Sequence, residues 1–121
     1  NKVAIDFFKK ANQEKKIKTI IKPALESLND FKKNNKIFDM VFIDADKENY
    51  KNYYDISLGL IKKEGLIIVD NVLWHGEVVD KTKNDRLTNI IRDFNSYVKD
   101  DKKTEQIILP LGDGFTVCRK L

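Results

Sequence analysis

Two short, nearly unbroken apolar runs, each closed by a carboxylate, dominate the hydrophobic pattern of the chain. Phe38, Met40, Val41, Phe42 and Ile43 lead into Asp44, and Leu66, Ile67, Ile68 and Val69 lead into Asp70. Runs of this length, rich in β-branched residues, predict parallel strands buried on both faces. Between them Tyr50, Tyr53, Tyr54, Ser57, Leu58 and Ile61 recur at helical spacing, which predicts a helix over 48–61, and Glu64 with Gly65 supplies the turn into the second run. Upstream, Val3, Ala4, Phe7, Phe8 and Ala11 predict an amphipathic helix over 3–12. Residues 17–21 are short, β-branched and stopped near Pro23, a strand signal, and Ala24, Leu25, Leu28 and Phe31 form the next helical stripe. Downstream a helix is expected over 85–98. Two apolar runs, 105–110 and 115–119, then flank Gly112, Asp113 and Gly114, and Asp-Gly in that position is a hairpin signal. Strand and helix alternating before a terminal hairpin predict a single α/β domain over 1–121, its sheet mostly parallel with an antiparallel C-terminal element.

Composition narrows the picture by exclusion. With 121 residues, 41% hydrophobic, the chain can build a real core despite 35% charged residues, so disorder is not expected. No apolar run approaches the roughly 20 residues that span a bilayer. The single cysteine, Cys118, can form neither an internal disulfide nor a cysteine metal cluster, a cytoplasmic type of composition. The net charge of +4 comes from scattered lysines interrupted by acids; Arg86, Arg92 and Arg119 are the only arginines. That pattern reads as a solvated surface, and neither nucleic acid nor membrane is an expected partner.

The candidate chemistry lies where the two apolar runs end. Ligands of open α/β sheets bind outside the carboxyl ends of the strands. There the sequence sets Asp44 and Asp46 after the first run, Asp70 and Asn71 after the second. Neighbouring parallel strands lie about 4.8 Å apart, so Asp44 and Asp70 can converge on one point. Two carboxylates so placed repel unless a proton or a cation lies between them. Two Asp oxygens and an Asn amide oxygen are hard donors, suited to Mg²⁺, Ca²⁺ or Mn²⁺ with water completing the shell. The same residue types also serve as helix caps and Asx-turn formers. Trp74 reads equally as packing or as a substrate wall, His75 as a loop residue, and the tyrosines as core or helix surface.

Three stretches together carry a family resemblance. Residues 38–50 (FDMVFIDADKENY), 65–76 (GLIIVDNVLWHG) and 109–119 (LPLGDGFTVCR) closely resemble the caffeoyl-CoA and catechol O-methyltransferases, cation-dependent enzymes that use S-adenosylmethionine. Residues 20–28 (IIKPALESL) are similar to that family's third strand and the helix after it. The resemblance implies a class I, Rossmann-like methyltransferase sheet. It implies Asp44, Asp70 and Asn71 as ligands of a divalent cation, Mg²⁺ first and Ca²⁺ or Mn²⁺ as alternatives. Lys47 would be the group that takes the proton from the attacking hydroxyl, Asp44 and Asp46 would lie beside the methyl donor, and Trp74 and His75 would line the mouth for a small vicinal-diol or catechol-type acceptor.

The resemblance also implies a glycine-rich turn after a first strand, and a second strand ending in an acid. Gly59, Gly65, Gly76, Gly112 and Gly114 are the only glycines, and none opens a strand-to-helix turn of that kind. The chain, which opens at Asn1 without an initiator methionine, is accordingly identified as the C-terminal part of such a domain, lacking the first two strands. Alone it is expected to bind S-adenosylmethionine weakly or not at all. Its open strand edges are expected to close either by residues 17–21 crossing onto the Phe38 strand or by pairing of two copies into a dimer. A non-catalytic remnant serving as an interaction or regulatory domain is the alternative to an enzyme.

Overall fold

In the computed structural model, which describes residues 2–121, the first apolar run forms strand β1 (Phe38–Ile43), parallel to β2 (Ile61–Asp70). The terminal hairpin supplies β3 (Thr104–Leu109) and β4 (Phe115–Lys120), and β4 runs antiparallel to both β2 and β3, giving the order β1-β2-β4-β3. Among the described residues four helices accompany the sheet: α1 (Lys2–Lys10), α2 (Ala24–Lys33), α3 (Tyr50–Leu58) and α4 (Arg86–Asp100). Short 3₁₀ turns at Lys47–Asn49 and Trp74–Val79 follow the carboxyl ends of β1 and β2. This is the expected α/β class, a mixed sheet with a parallel pair and a C-terminal hairpin. No helix among the described residues is long and apolar enough to cross a membrane.

Side chains alternate across a strand, and here the two faces of the sheet have different fates. Ile43, Ile67, Val69, Thr116 and Cys118 point to one face and are buried there. Tyr50, Tyr53, Tyr54 and Leu58 of α3 and Ile91, Phe94 and Val98 of α4 cover that face and complete the core. The start of α4 is fixed by Asp85, whose carboxylate accepts the backbone N–H of Leu87 and of Thr88, each at 3.1 Å. On the opposite face the register lines up Phe42, Ile68, Val117 and Ile107 across all four strands, with Met40 and Leu66 on one side of that row and Phe115 and Leu109 on the other. None of these eight is buried; Met40 and Phe42 are each 52% exposed and Ile107 59%.

β1 is therefore buried on one face only, against the expectation from its sequence. Apolar content reports that a strand is meant to be covered, and the second covering layer is not among the described residues. Soluble monomers rarely leave a large contiguous apolar patch open to water. Replacing both Phe42 and Ile107 with lysine is expected to abolish most of the fluorescence of bound anilinonaphthalene sulfonate while far-UV circular dichroism stays unchanged. Undiminished dye binding would show that the dye enters elsewhere.

Four further differences from the sequence reading have local causes. Residues 17–21 form no strand, because strand propensity is realised only through a paired edge; the expected crossover onto β1 is not made, and the outer edge of β1 has no partner among the described residues. Lys18 and Ile20 instead lie along an open cleft of ≈ 400 Å³ shared with Leu28 and Phe31 of α2 and Val41 of β1. The helix expected over 48–61 is a 3₁₀ turn followed by α3, and it stops at Leu58. The chain is then drawn into the sheet when the Leu60 carbonyl accepts the Phe38 N–H at 2.8 Å. Glu64 and Gly65 are not a turn ahead of a short strand; β2 already starts at Ile61, and pairing jumps from Phe38↔Ile61 to Met40↔Leu66. The extra residues bulge out, and a Cβ on Gly65 would stand 2.9 Å from the Lys62 carbonyl and 3.0 Å from that of Asp39, so only glycine fits. The N-terminal helix is α1, ending at Lys10 short of residue 12, and none of its residues is buried.

Candidate active site

The last paired residues of the parallel strands are Ile43 and Val69, so Asp44 and Asp70 leave adjacent strand ends side by side. Asn71 follows with φ 59°, a left-handed conformation that Asn tolerates better than most residues. Its N–H donates to Asp70 Oδ1 at 2.6 Å, an arrangement that orients the carboxylate against its own backbone.

One side chain ties the two strand ends together. Lys47, at the start of the 3₁₀ turn after β1, donates from Nζ to Asn71 Oδ1 at 2.7 Å and also to the Tyr50 hydroxyl, and lies 3.6 Å from Asp44 Oδ1. Tyr50 in turn donates to the Asp70 carbonyl at 2.9 Å. Lys47 is 12% exposed at its side chain, whereas Asp44 is 56% exposed. A pair with one partner so open to water contributes at most about 1 kcal/mol, so Asp44 remains free to exchange this partner for another cation. Tyr50 is fully buried. Burial first, and then the charge of Asp44, push its phenol well above the usual value, so it stays protonated at any physiological pH.

Asp46 bonds to a different set of partners. It accepts from the Tyr53 hydroxyl and, at 2.5 Å, from Asn49 Nδ2. The Tyr53 bond is the main reason its carboxyl is held below the ordinary range, while Tyr53 itself is pushed up to about 12 by burial and by that same bond. An acid depressed in the folded chain stabilises it above the unfolded value near 3.9, and the contribution is lost as pH falls through the folded value. Tyr53→Phe is thus expected to raise the Asp46 pKa toward that of a free carboxylate, read by carboxyl-carbon NMR titration. An unmoved titration would assign the depression to Asn49 instead.

Trp74 and His75 follow β2 within the second 3₁₀ turn. The Trp74 ring centroid lies 6.0 Å from Lys47 Nζ, at the border of the cluster, and the two rings are 5.4 Å apart. His75 is 74% exposed at its side chain and donates its backbone N–H to Asp113 Oδ1 at 2.5 Å. The residues anticipated from sequence thus divide: Asp44, Lys47 and Asn71 come together with Asp70 at the adjacent strand end, Trp74 flanks them, and Asp46 and His75 make their hydrogen bonds to other partners. Two residues of the site were not anticipated. Tyr50, taken for packing, carries the hydroxyl between Lys47 and β2; its position three residues after Lys47 on a helical turn was the available signal. Asp113, read as a turn residue, holds the Trp74 loop, and nothing local in the sequence marks it.

The donor set fits a divalent cation. Asp44, Asn71 and Tyr50 already gather three oxygens around one positive charge, the Lys47 ammonium, and the Asp70 carboxylate stands at the adjacent strand end. The amide is essential to that count, since no three acidic, His or Cys side chains form a metal cluster among the described residues.

The family profile for O-methyltransferases matches residues 1–121. This chain belongs to the O-methyltransferase family. It is 44% identical over 108 residues to caffeoyl-CoA O-methyltransferase 1 of Zea mays, with 82% of this chain and 42% of that protein covered. Caffeoyl-CoA O-methyltransferase of Populus kitakamiensis is 35% identical over 127 residues, which cover 98% of the chain and 54% of the relative. Among solved structures, the O-methyltransferase of Bacillus cereus in complex with SAH superposes with a TM-score of 0.85 at 30% identity, over 99% of this chain and 57% of that one. These relatives are caffeoyl-CoA O-methyltransferases, the type that its motifs resemble. The O-methyltransferase chain spans about half the length of the curated relatives it matches.

Proposed function

We propose that this O-methyltransferase chain carries the metal- and acceptor-binding part of an enzyme that moves a methyl group from S-adenosylmethionine to one hydroxyl of a catechol-type vicinal diol. The observation that carries the reading is Lys47 Nζ held 2.7 Å from Asn71 Oδ1 and 3.6 Å from Asp44 Oδ1, between two adjacent strand ends.

Asp44, Asp70 and Asn71 would hold a divalent cation, Mg²⁺ first, with Ca²⁺ or Mn²⁺ as alternatives. When bound, such a cation lowers the pKa of a hydroxyl and orients it. Lys47, in its neutral form, accepts the acceptor's proton at Nζ while the hydroxyl oxygen forms its bond to the methyl carbon and the carbon–sulfur bond of the donor breaks. Tyr50 and Asn71 hold Nζ at the strand ends, where an acceptor oxygen would stand within proton-transfer range. Trp74 walls the acceptor, with His75 at its outer rim, and Asp46, with Asp44, lies on the side taken by the donor. A cytoplasmic site of action belongs to the same reading.

The test is a chimera in which this chain replaces the matching part of the Bacillus cereus enzyme, assayed with S-adenosylmethionine, catechol and Mg²⁺. Turnover is expected, and Lys47→Met should reduce it roughly 10²–10⁴-fold, the range of general base catalysis. A folded chimera that binds the donor and turns over equally well with Met at 47 would sink the assignment. The bare face of the sheet favours a second reading, a non-catalytic interaction domain that pairs with a second copy as a dimer. On that reading the chimera folds without turnover, and sedimentation of the 121-residue chain shows a dimer that lysines at Phe42 and Ile107 dissociate.

A further inference from the structure

We propose that Asp113, at the turn between β3 and β4, is the positioning residue that sets the loop bearing Trp74 and His75 and thereby decides which acceptor the site admits. The acceptor half of this statement rests on the O-methyltransferase reading; the positioning half does not.

The loop after β2 is built from unfavourable backbone. Trp74 has φ 49° and His75 φ 56°, followed by Gly76 at 82°, three left-handed residues in succession of which only the last lacks a side chain. Such conformations persist only where the surroundings over-determine them. Here the surroundings are the hairpin turn. Gly114 O accepts the Val72 N–H at 3.2 Å, Asp113 O accepts the Leu73 N–H at 2.9 Å, and the Asp113 carboxylate accepts the His75 N–H at 2.5 Å. The first two bonds continue the β2–β4 pairing. The third reaches past it and is made by a side chain, at the residue where the backbone is left-handed.

Contact is close enough to make hairpin and loop one unit. Gly114 has φ 80°, and a Cβ there would stand 2.4 Å from Leu73 Cγ. The Asp113 side chain is 17% exposed, and its Oδ2 is buried without a hydrogen-bond partner among the described residues. Its Oδ1 contacts are the His75 N–H and, at 3.9 Å, the His75 ring. A carboxylate kept from water at that cost, with its bonding spent on one loop N–H, is placed to fix that loop. What it fixes is the Trp74 ring, 6.0 Å from Lys47 Nζ. A shift of the loop changes the wall opposite the lysine without touching Asp44, Lys47, Asp70 or Asn71.

Trp74 is the only tryptophan of the chain, so its fluorescence reports the loop without any ligand. Asp113→Ala is expected to shift Trp74 emission to the red and raise acrylamide quenching at least twofold with far-UV circular dichroism retained. Asp113→Asn keeps an oxygen that accepts the His75 N–H, and should keep the spectrum. A folded Ala variant with unchanged emission and quenching, or an Asn variant shifted as far as Ala, overturns the positioning role. Should the Ala variant fail to fold, amide hydrogen exchange in the unmodified chain decides: His75 N–H is expected to be protected, and free exchange there overturns the proposal.

The acceptor half is read by titrating catechol in MgCl₂ and following Trp74 quenching. The Ala variant should need at least fivefold more catechol than the unmodified chain and the Asn variant. Equal affinities overturn the acceptor half alone. No quenching in the unmodified chain overturns it too, and counts against the O-methyltransferase reading, while the spectra and exchange rates still decide the role of Asp113 in the loop.

Discussion

Phe94→Ala is expected to destabilise the chain by about 3–5 kcal/mol, the usual cost of deleting a buried aromatic ring. Phe94 is 3% exposed on the inner side of α4, where its ring meets Tyr50 edge-on at 5.4 Å and Tyr54 at 6.2 Å. Domains of this size have net stabilities of about 5–15 kcal/mol, and a sheet with one uncovered face belongs at the lower end of that range. The substitution therefore consumes most of the margin, and a urea titration should find the midpoint collapsed toward zero denaturant. The effect should reach the candidate site as well, because Tyr50 loses its packing partner while its hydroxyl still serves Lys47 and the Asp70 carbonyl. Ile107→Ala is the comparison. Ile107 is 59% exposed on the bare face, and its truncation should change stability by no more than about 0.5 kcal/mol. Equal midpoints for the two variants would mean that the core does not lie between α3, α4 and the inner face of the sheet.

That contrast between faces also shows where sequence reading reaches and where it stops. β1, β2 and the hairpin were legible because their signals are local: β-branched runs of strand length, each closed by an acid, and Asp-Gly between two apolar stretches. The adjacency of Asp44 and Asp70 followed from the same signals, since two parallel strands joined by one helix pair directly here. Residues 17–21 carry an equally good strand signal and form none, because a strand is a property of a pair and these residues do not pair with the open outer edge of β1. The exposure of Met40 and Phe42 was illegible for a related reason: hydrophobic composition states a need for cover and not whether cover is present. Asp113 lies 38 residues from His75, so their bond exists only once the hairpin has folded back beside β2. Tyr50 was misjudged in the other direction, since burial and a polar role are compatible in a phenol whose ring packs while its hydroxyl bridges.

Asp70→Ala and Asp44→Ala are each expected to weaken Mn²⁺ binding by at least 10–100-fold, the loss already seen when residues merely supporting metal ligands are removed. Titration calorimetry or electron paramagnetic resonance on the 121-residue chain reads this directly, because every proposed ligand lies within it. The argument turns on charge. A dication among two carboxylates and an amide relieves the repulsion between the acids, and taking away one carboxylate removes both a ligand and half of that relief. Lys47→Met should act with the opposite sign. Its ammonium lies 2.7 Å from Asn71 Oδ1 and 3.6 Å from Asp44 Oδ1, so its charge would compete with and repel a dication drawn to the same oxygens. Removing that charge should tighten Mn²⁺ several-fold, up to about 1.4 kcal/mol for a tenfold gain. General loss of negative charge is checked by Asp30→Ala on α2, an acid paired with Lys22 and outside the proposed ligand set. The opposite signs matter more than either magnitude: acids that merely capped loops would leave the affinity at the Asp30→Ala level, and a lysine that merely packed would leave it unchanged. Mn²⁺ affinity indifferent to all three site substitutions would remove the physical basis for a cation at these strand ends.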